Sequence, residues 1–310
     1  MPARQQQLMR RAVRLELWSV GWMSLVTLMT ALAAGDSQAM KSAWVEDLLS
    51  LVPPLALLAA AWFARKPADA EYVNGRMRAF DVTFLVSAVA LTGVGLALVY
   101  DGLHALLTRK HPGIGAVEVG GTLLWHGWVM VGALLLSVLP PVVLGRKKLA
   151  VARELQLKPL RTDADMNKAD WMTGLAGVAG ILGIGMGWWW ADAVAALFIS
   201  GSVLHDGASN LKAAMRDLHD AHPETLEHGQ PDPLCTDVRA AVAALPWVSA
   251  CDVRLHEEGP RLCGVLLLAA RAGEVTPAQL REAEDTARAV HWRVDEVVAR
   301  LHEGTGNRDR

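Results

Sequence analysis

The chain has 310 residues, of which 52% are hydrophobic, with a mean hydropathy of +0.25 and a formal net charge of −2. So apolar a composition argues against an ordinary soluble protein, and the near-neutral charge, with no basic stripe interleaved with aromatics, argues against a nucleic-acid partner. No GxSxG, HExxH, P-loop or GxGxxG pattern occurs in a fitting context, so neither an enzymatic activity nor a resident cofactor is expected.

The apolar residues are clumped, and the elements follow in chain order. The opening stretch MPARQQQLMRR reads as a cytoplasmic tail over 1–12, because the apolar run behind it is full length and lacks a small-residue cleavage site. Apolar stretches at 15–34, 43–64, 82–107, 121–145, 171–190 and 192–204, the last running on through Leu211, are each long enough or nearly so to cross a bilayer as helix. They define a transmembrane domain over 13–215. Basic residues collect in alternate connections: Arg4, Arg10, Arg11 and Arg14 before the first span, Arg65, Lys66, Arg76 and Arg78 after the second, and Arg146, Lys147, Lys148, Arg153, Lys158 and Arg161 after the fourth. The opposite connections hold only Lys41, Arg109 and Lys110. Lysine and arginine mark cytoplasmic loops, so six spans with both termini inside, in the inner (plasma) membrane and surrounded by lipid, satisfy all of these loops together.

Past Ala221 the character changes. HPETLEHGQPDP is a polar linker; CTDVRAAVAALP then reads as a helix, WVSACDVRLHEE and LCGVLLLAAR as strands around a Gly-Pro turn, TPAQLREAEDTARAVHWRV as a Thr-capped helix, and DEVVARLHE as a last strand. The fold class is therefore an all-α six-helix transmembrane domain plus a C-terminal α+β ferredoxin-like cytoplasmic domain over 216–303, with a tail at 304–310. Cys235, Cys251 and Cys263 all fall in this domain; their odd number and the lack of CxxC point to free thiols in a reducing cytosol.

Several segments taken together resemble the cation diffusion facilitator family. SAWVEDLLS (42–50) is similar to the opening of that family's second span, KPADAEYVNGRMRAF (66–80) to the loop behind it, TDADMNKADWMTGLAGVAGILG to the fifth-span signature, and WWWADAVAALFIS to the approach to the sixth. The resemblance implies a homodimer that exports divalent cations in exchange for protons. It also implies a four-ligand site, with an i, i+4 pair on each of spans two and five, a spacing that puts both side chains of a pair on one helix face. Those positions fall here on Asp47 and Leu51, and on Met166 and Asp170, so two carboxylates remain and the usual histidine is gone. The histidines of the loop site fall on Tyr72 and Arg76, and the late-strand histidine of the cytoplasmic domain falls near Arg300, which argues against metal at either place.

Neighbours rebuild the ligand set. Ser50 lies at i+3 from Asp47, Asn167 at i−3 from Asp170, and Met166 offers a thioether or simply packs. Pro53 and Pro54 free the carbonyls near Leu49 and Ser50 for a cation or for a hinge. Asp47 and Asp170 hold a cation or pair with Lys41 or Lys168, while Asp163 and Asp165 read as first-turn carboxylates at a positive helix end. The glycines of GLAGVAGILGIGMG permit close helix approach or are plain packing. An oxygen-rich site without imidazole favours Mn2+ or Fe2+ over Zn2+, giving a proton-coupled divalent cation exporter working by alternating access. Loss of two of the four ligands motivates the alternative, a transport-inactive relative acting as a metal-responsive membrane scaffold or subunit.

Overall fold

A computed structural model of the chain describes residues 2–34, 47–109, 116–119, 122–227, 229–271 and 274–302. Lys41, Glu46 and the 304–310 tail lie outside the described residues. Among the described residues the first helices are α1 (Ala3–Ala34), α2 (Val52–Phe63) with a helical turn at 47–50 ahead of it, α3 (Ala79–Leu107), α4 (His126–Leu155), α5 (Lys158–Gly185) and α6 (Ala191–Leu218). Between α3 and α4 a short hairpin pairs β1 (Ala116–Val119) with β2 (Thr122–Trp125).

Three expectations about these elements change. Residues 121–145 are not one helical span, because β2 occupies their start and helix begins only at His126. The fifth helix begins at Lys158 rather than near 171, and the sixth continues to Leu218. The basic connection after the fourth span is itself helical: α4 runs to Leu155, and only Gln156, in the left-handed conformation at φ 52°, and Leu157 separate it from α5. Charge does not end these helices because the charges are paired. Lys148 and Lys158 are buried against carboxylates, and Leu155, Leu157 and Leu160 are fully buried around the turn.

α3 packs along α6, and α4 along α5. The first pair needs glycine: a Cβ on Gly95 would lie 3.0 Å from the backbone of Leu204, and one on Gly207 2.9 Å from the backbone of Thr92. The glycines of the fifth helix serve a different contact, since Gly174 and Gly177 admit the side chains of Val138 and Leu134 from α4. By length and composition α3 is the one described helix apolar enough to cross a membrane, with the Asp47–Phe63 stretch shorter. Large apolar side chains nevertheless point outward around the bundle, among them Trp62, Val89, Leu96, Leu139 and Phe198, the last 84% exposed. So many exposed apolar side chains are unfavourable in water and suit lipid.

The C-terminal unit follows as α7 (Pro233–Ala243), β3 (Val248–Glu258), β4 (Arg261–Ala270), α8 (Pro277–Val290) and β5 (Val294–Leu301). The helix–strand–strand–helix–strand order matches the sequence reading. The strands form one sheet in the order β3-β4-β5, antiparallel between β3 and β4 and parallel between β4 and β5. Asp232 caps α7 and a Thr276–Gln279 capping box starts α8. Here burial follows the strand period: Val253 and Leu255, Leu266 and Leu268, Val297 and Ala299 face Val238, Val242, Ala283 and Ala287 of the two helices. Each such branched side chain, leaving water, contributes about 1.5–3 kcal/mol.

The sheet unit docks on the helices through polar groups. At the β3–β4 turn, Gly259 has φ 58°, and its N–H donates to Asp81 Oδ1 of α3 at 2.8 Å. Lys158 Nζ, at the start of α5, donates to Asp217 of α6 at 2.8 Å and lies 2.7 Å from Glu257 Oε2 of β3. Arg293 meets Asp232 and stands 3.6 Å from Glu257. Burial is the main force pushing the Glu257 carboxyl above its ordinary range, and Lys158 opposes it.

Two outcomes are expected of this unit. Alanine at Gly264, where a Cβ would overlap the carbonyl of Arg254 across the β3–β4 pair, lowers stability by about 1–3 kcal/mol, read as a drop in the thermal midpoint of the detergent-solubilised protein. Cys235 and Cys263 are buried, Cys251 half-buried, and burial pushes all three thiols up to about 11. They stay protonated at neutral pH, so a thiol-disulfide reagent labels the native protein slowly and the denatured protein fast.

Candidate functional site

Leu51 sits in a turn between the helical residues 47–50 and α2, whose first positions hold Pro53 and Pro54. Neither proline has an N–H to donate, so the carbonyls of Leu49 and Ser50 lose the partners a continuous helix would give them. Asp47 and Ser50, spaced i, i+3, project from that single turn. Across from them Asp170 lies near the middle of α5, about 18 Å along the axis from Lys158 at the usual rise. The Ser50 hydroxyl donates to Asp170 Oδ1 at 3.1 Å and ties the two elements together.

Around this contact is a cavity of about 160 Å³. Asp47, Ser50, Asp170 and Thr173 give it a polar wall, and Trp22, Met23 and Val26 of α1 with Val94 and Leu98 of α3 give it an apolar one. Ser137 and Pro141 of α4 and Ala169 of α5 complete the lining. Pro140 and Pro141 stand inside α4, and Pro141 cannot donate to the Ser137 carbonyl one turn back. Ser50 and Ser137, each four residues before a proline, thus line one cavity whose side-chain polar atoms are carboxylate and hydroxyl oxygens.

Of the five predicted ligands the structure brings together Asp47, Ser50 and Asp170. Met166 does not reach the cavity. It is 1% exposed and packs among Leu91, Val94, Ile199 and Val203, because its face of α5 looks into the α3–α6 seam. Asn167 is also elsewhere: its amide donates to the Asp163 carbonyl at 2.8 Å, and its Cβ stands against Gly145 of α4. Thr173 and Ser137 were not anticipated. Thr173 is at i+3 from Asp170, a spacing legible in the sequence, whereas Ser137 comes from a helix that only packing brings near.

Lys168, one proposed partner for the acids, bonds Asp206 of α6 at 2.7 Å instead. Asp163 and Asp165 are not first-turn caps, because α5 starts at Lys158 and has no acid in its first turn. Asp163 pairs with Lys148 of α4; Asp165 lies 3.8 Å from Arg161 and accepts from Asn210 at 3.3 Å. His104 stacks on Tyr100 on the outside of α3 rather than facing the cavity.

The loop at 66–78 closes around Arg76. Its guanidinium bonds Asp69 and the Pro67 carbonyl, and it lies 4.3 Å from the Tyr72 ring centroid and 5.2 Å from that of Phe63. Arg76 and the backbone N–H groups of Tyr72 and Glu71 hold Asp69 below the usual carboxylate range. The Arg76 guanidinium thus occupies the centre of this loop. Among the described residues no group of three or more His, Cys, Asp or Glu side chains is placed to hold a metal ion, so the cavity rests on two carboxylates and neutral oxygens.

The family model described as the cation efflux transmembrane domain matches residues 15–219, which takes in most of α1 and all of α2 to α6. No curated protein matches the chain.

Loss of the Ser50 hydroxyl removes the donor that orients Asp170. Ser50→Ala is expected to weaken Mn2+ binding about 10–100-fold in calorimetric titration, with the thermal midpoint little changed.

Proposed function

Because this chain belongs to the cation efflux family and is thereby a membrane protein that transports metal cations, we propose that it exports divalent cations in exchange for protons, with Asp47 and Asp170 as the charged ligands. The observation that carries this reading is the Ser50–Asp170 hydrogen bond, which sets Asp47, Ser50 and Asp170 around one cavity midway through the helices.

Ligand chemistry favours the ion. Zinc prefers imidazole and thiolate in a tetrahedron, and the cavity offers neither. Two carboxylates, the hydroxyls of Ser50, Thr173 and Ser137, and proline-freed carbonyls make an oxygen set that suits Mn2+, or Fe2+ in a mixed shell. Coupling follows from competition for the same oxygens. A cation binds the deprotonated carboxylates and expels their protons; protons arriving from the other side evict the cation. The turn at Leu51 and the prolines inside α4 provide hinges for α2 and α4 to alternate access.

Six spans with both termini in the cytoplasm, a ferredoxin-like cytoplasmic domain, a homodimer in the inner membrane and no enzymatic step complete the proposal. The outward apolar side chains support the spans, and the α7–β3–β4–α8–β5 order supports the domain. Leu51 and Met166, at two of the family's four ligand positions, favour the second reading of a transport-inactive, metal-responsive scaffold.

Reconstitution in liposomes with a trapped pH dye separates the two. The exporter moves Mn2+ or Fe2+ faster than Zn2+ or Mg2+, with opposite proton flux, and slows when the cation-donating side is acidified. Asp47→Asn and Asp170→Asn each bring cation and proton flux to background. Cation binding without flux supports the scaffold, and flux that survives both substitutions rejects the site.

A further inference from the structure

Three charged side chains from three helices meet in the bundle away from the candidate cavity. Glu16 of α1 and Lys148 of α4 are 0% exposed and Asp163 of α5 is 1% exposed. Lys148 Nζ hydrogen-bonds Asp163 Oδ2 and stands 3.0 Å from Glu16 Oε2. One ammonium balances one carboxylate. With both acids ionised the trio would carry an uncompensated negative charge where no water reaches it.

The neighbouring charges do not relieve this. On α1 and α4, Arg11, Arg14 and Lys147 line an outward groove with Trp18. On α5, Asp165 is engaged by Arg161 and Asn210, and Lys168 by Asp206. The next charged groups inward are Asp170, about 10 Å along α5 from Asp163, and Asp47, both acids. Lys148 is the one cation among the described residues that is ion-paired with Glu16.

The two acids of the trio are not equivalent. Asp163 takes the hydrogen bond from the ammonium, while Glu16 Oε1 is buried with no donor among the described residues. The Ser19 hydroxyl, one turn along α1, is likewise buried with no hydrogen-bond partner among the described residues. Glu16, Ser19 and Met23 follow at i, i+3 and i+7 on one face, and Met23 lines the cavity.

We propose that Glu16 is a proton-binding site separate from Asp47 and Asp170, and that it carries a proton of the transport cycle. The second clause rests on the exporter reading. In the closed bundle Glu16 is the neutral acid beside the Lys148–Asp163 pair. When the helices part and water enters, its O–H bond breaks, the proton leaves to solvent and the carboxylate shares the ammonium with Asp163. A divalent cation neutralises Asp47 and Asp170 but not Glu16, so this proton is additional to those the cation displaces.

The test uses Glu16→Gln in the full-length protein, which keeps the shape and removes the titration. In Mn2+-driven liposomes the protons moved per Mn2+ fall by about one, while Mn2+ affinity in detergent stays within about twofold. An unchanged ratio overturns the transport role. Independently of flux, the infrared C=O band of a protonated carboxyl at neutral pH is present in wild type and reduced in Glu16→Gln; no difference overturns the proton site itself. Failure of the variant to fold also overturns it, since an amide in place of a neutral acid leaves the charge balance intact. Absence of flux in wild type defeats the exporter reading, and the infrared comparison then still decides whether Glu16 holds a proton.

Discussion

A carboxylate held halfway along a helix, walled by apolar side chains, has to be met by a cation, a proton or a hydrogen-bond donor. Asp170 is that group, and much of the bundle is arranged around it. Among the described residues the nearby lysines are committed elsewhere: Lys168 to Asp206, and Lys148 to Asp163 and Glu16. Ser50 gives Asp170 one neutral hydrogen bond, and Asp47 adds a second negative group to the same cavity. The interior is left with more acid than base, an arrangement that stabilises nothing by itself and suits a site that must accept and release positive charge.

Prolines sit near the cavity on two elements: Pro53 and Pro54 open α2 behind the turn at Leu51, and Pro140 and Pro141 stand inside α4, leaving carbonyls one turn back without intrahelical donors. Ser50, Ser137 and Pro141 line the cavity itself. Farther toward the sheet unit the helices are held hard. Lys158 joins the start of α5 to the end of α6 and to β3, and Gly259 seats the β3–β4 turn against α3. Separating α5 from the sheet would break the Lys158–Glu257 contact and leave Lys158 to Asp217 and Glu257 to Arg293.

The two halves of the chain are stabilised by different physics. In the C-terminal unit, water drives branched side chains into a core with strand and helix periodicity, and capped helices close its ends. In the helical unit lipid removes most of that driving force, and close packing takes over, as where Gly95 and Gly207 let α3 and α6 approach at backbone distance.

By itself the sequence determined what is local. Runs of apolar residues marked the helical region, the period-2 and capped segments marked the order of the C-terminal elements, and the family resemblance singled out Asp47 and Asp170, with Ser50, Asn167 and Met166 as neighbours within a turn. Chemistry along one helix turn is written in consecutive residues, so these were legible. The ends of α4 and α5 were not, because charged residues read as loop until each has a partner, and the partners Glu16, Asp163, Asp217 and Glu257 lie far away in the chain. For the same reason only tertiary structure could turn Met166 into the α3–α6 core, occupy Asn167 with backbone, bring Ser137 to the cavity and bury Glu16 against Lys148. A side chain's type is set by its codon, but its dielectric surroundings and its counter-charge are set by what packs against it.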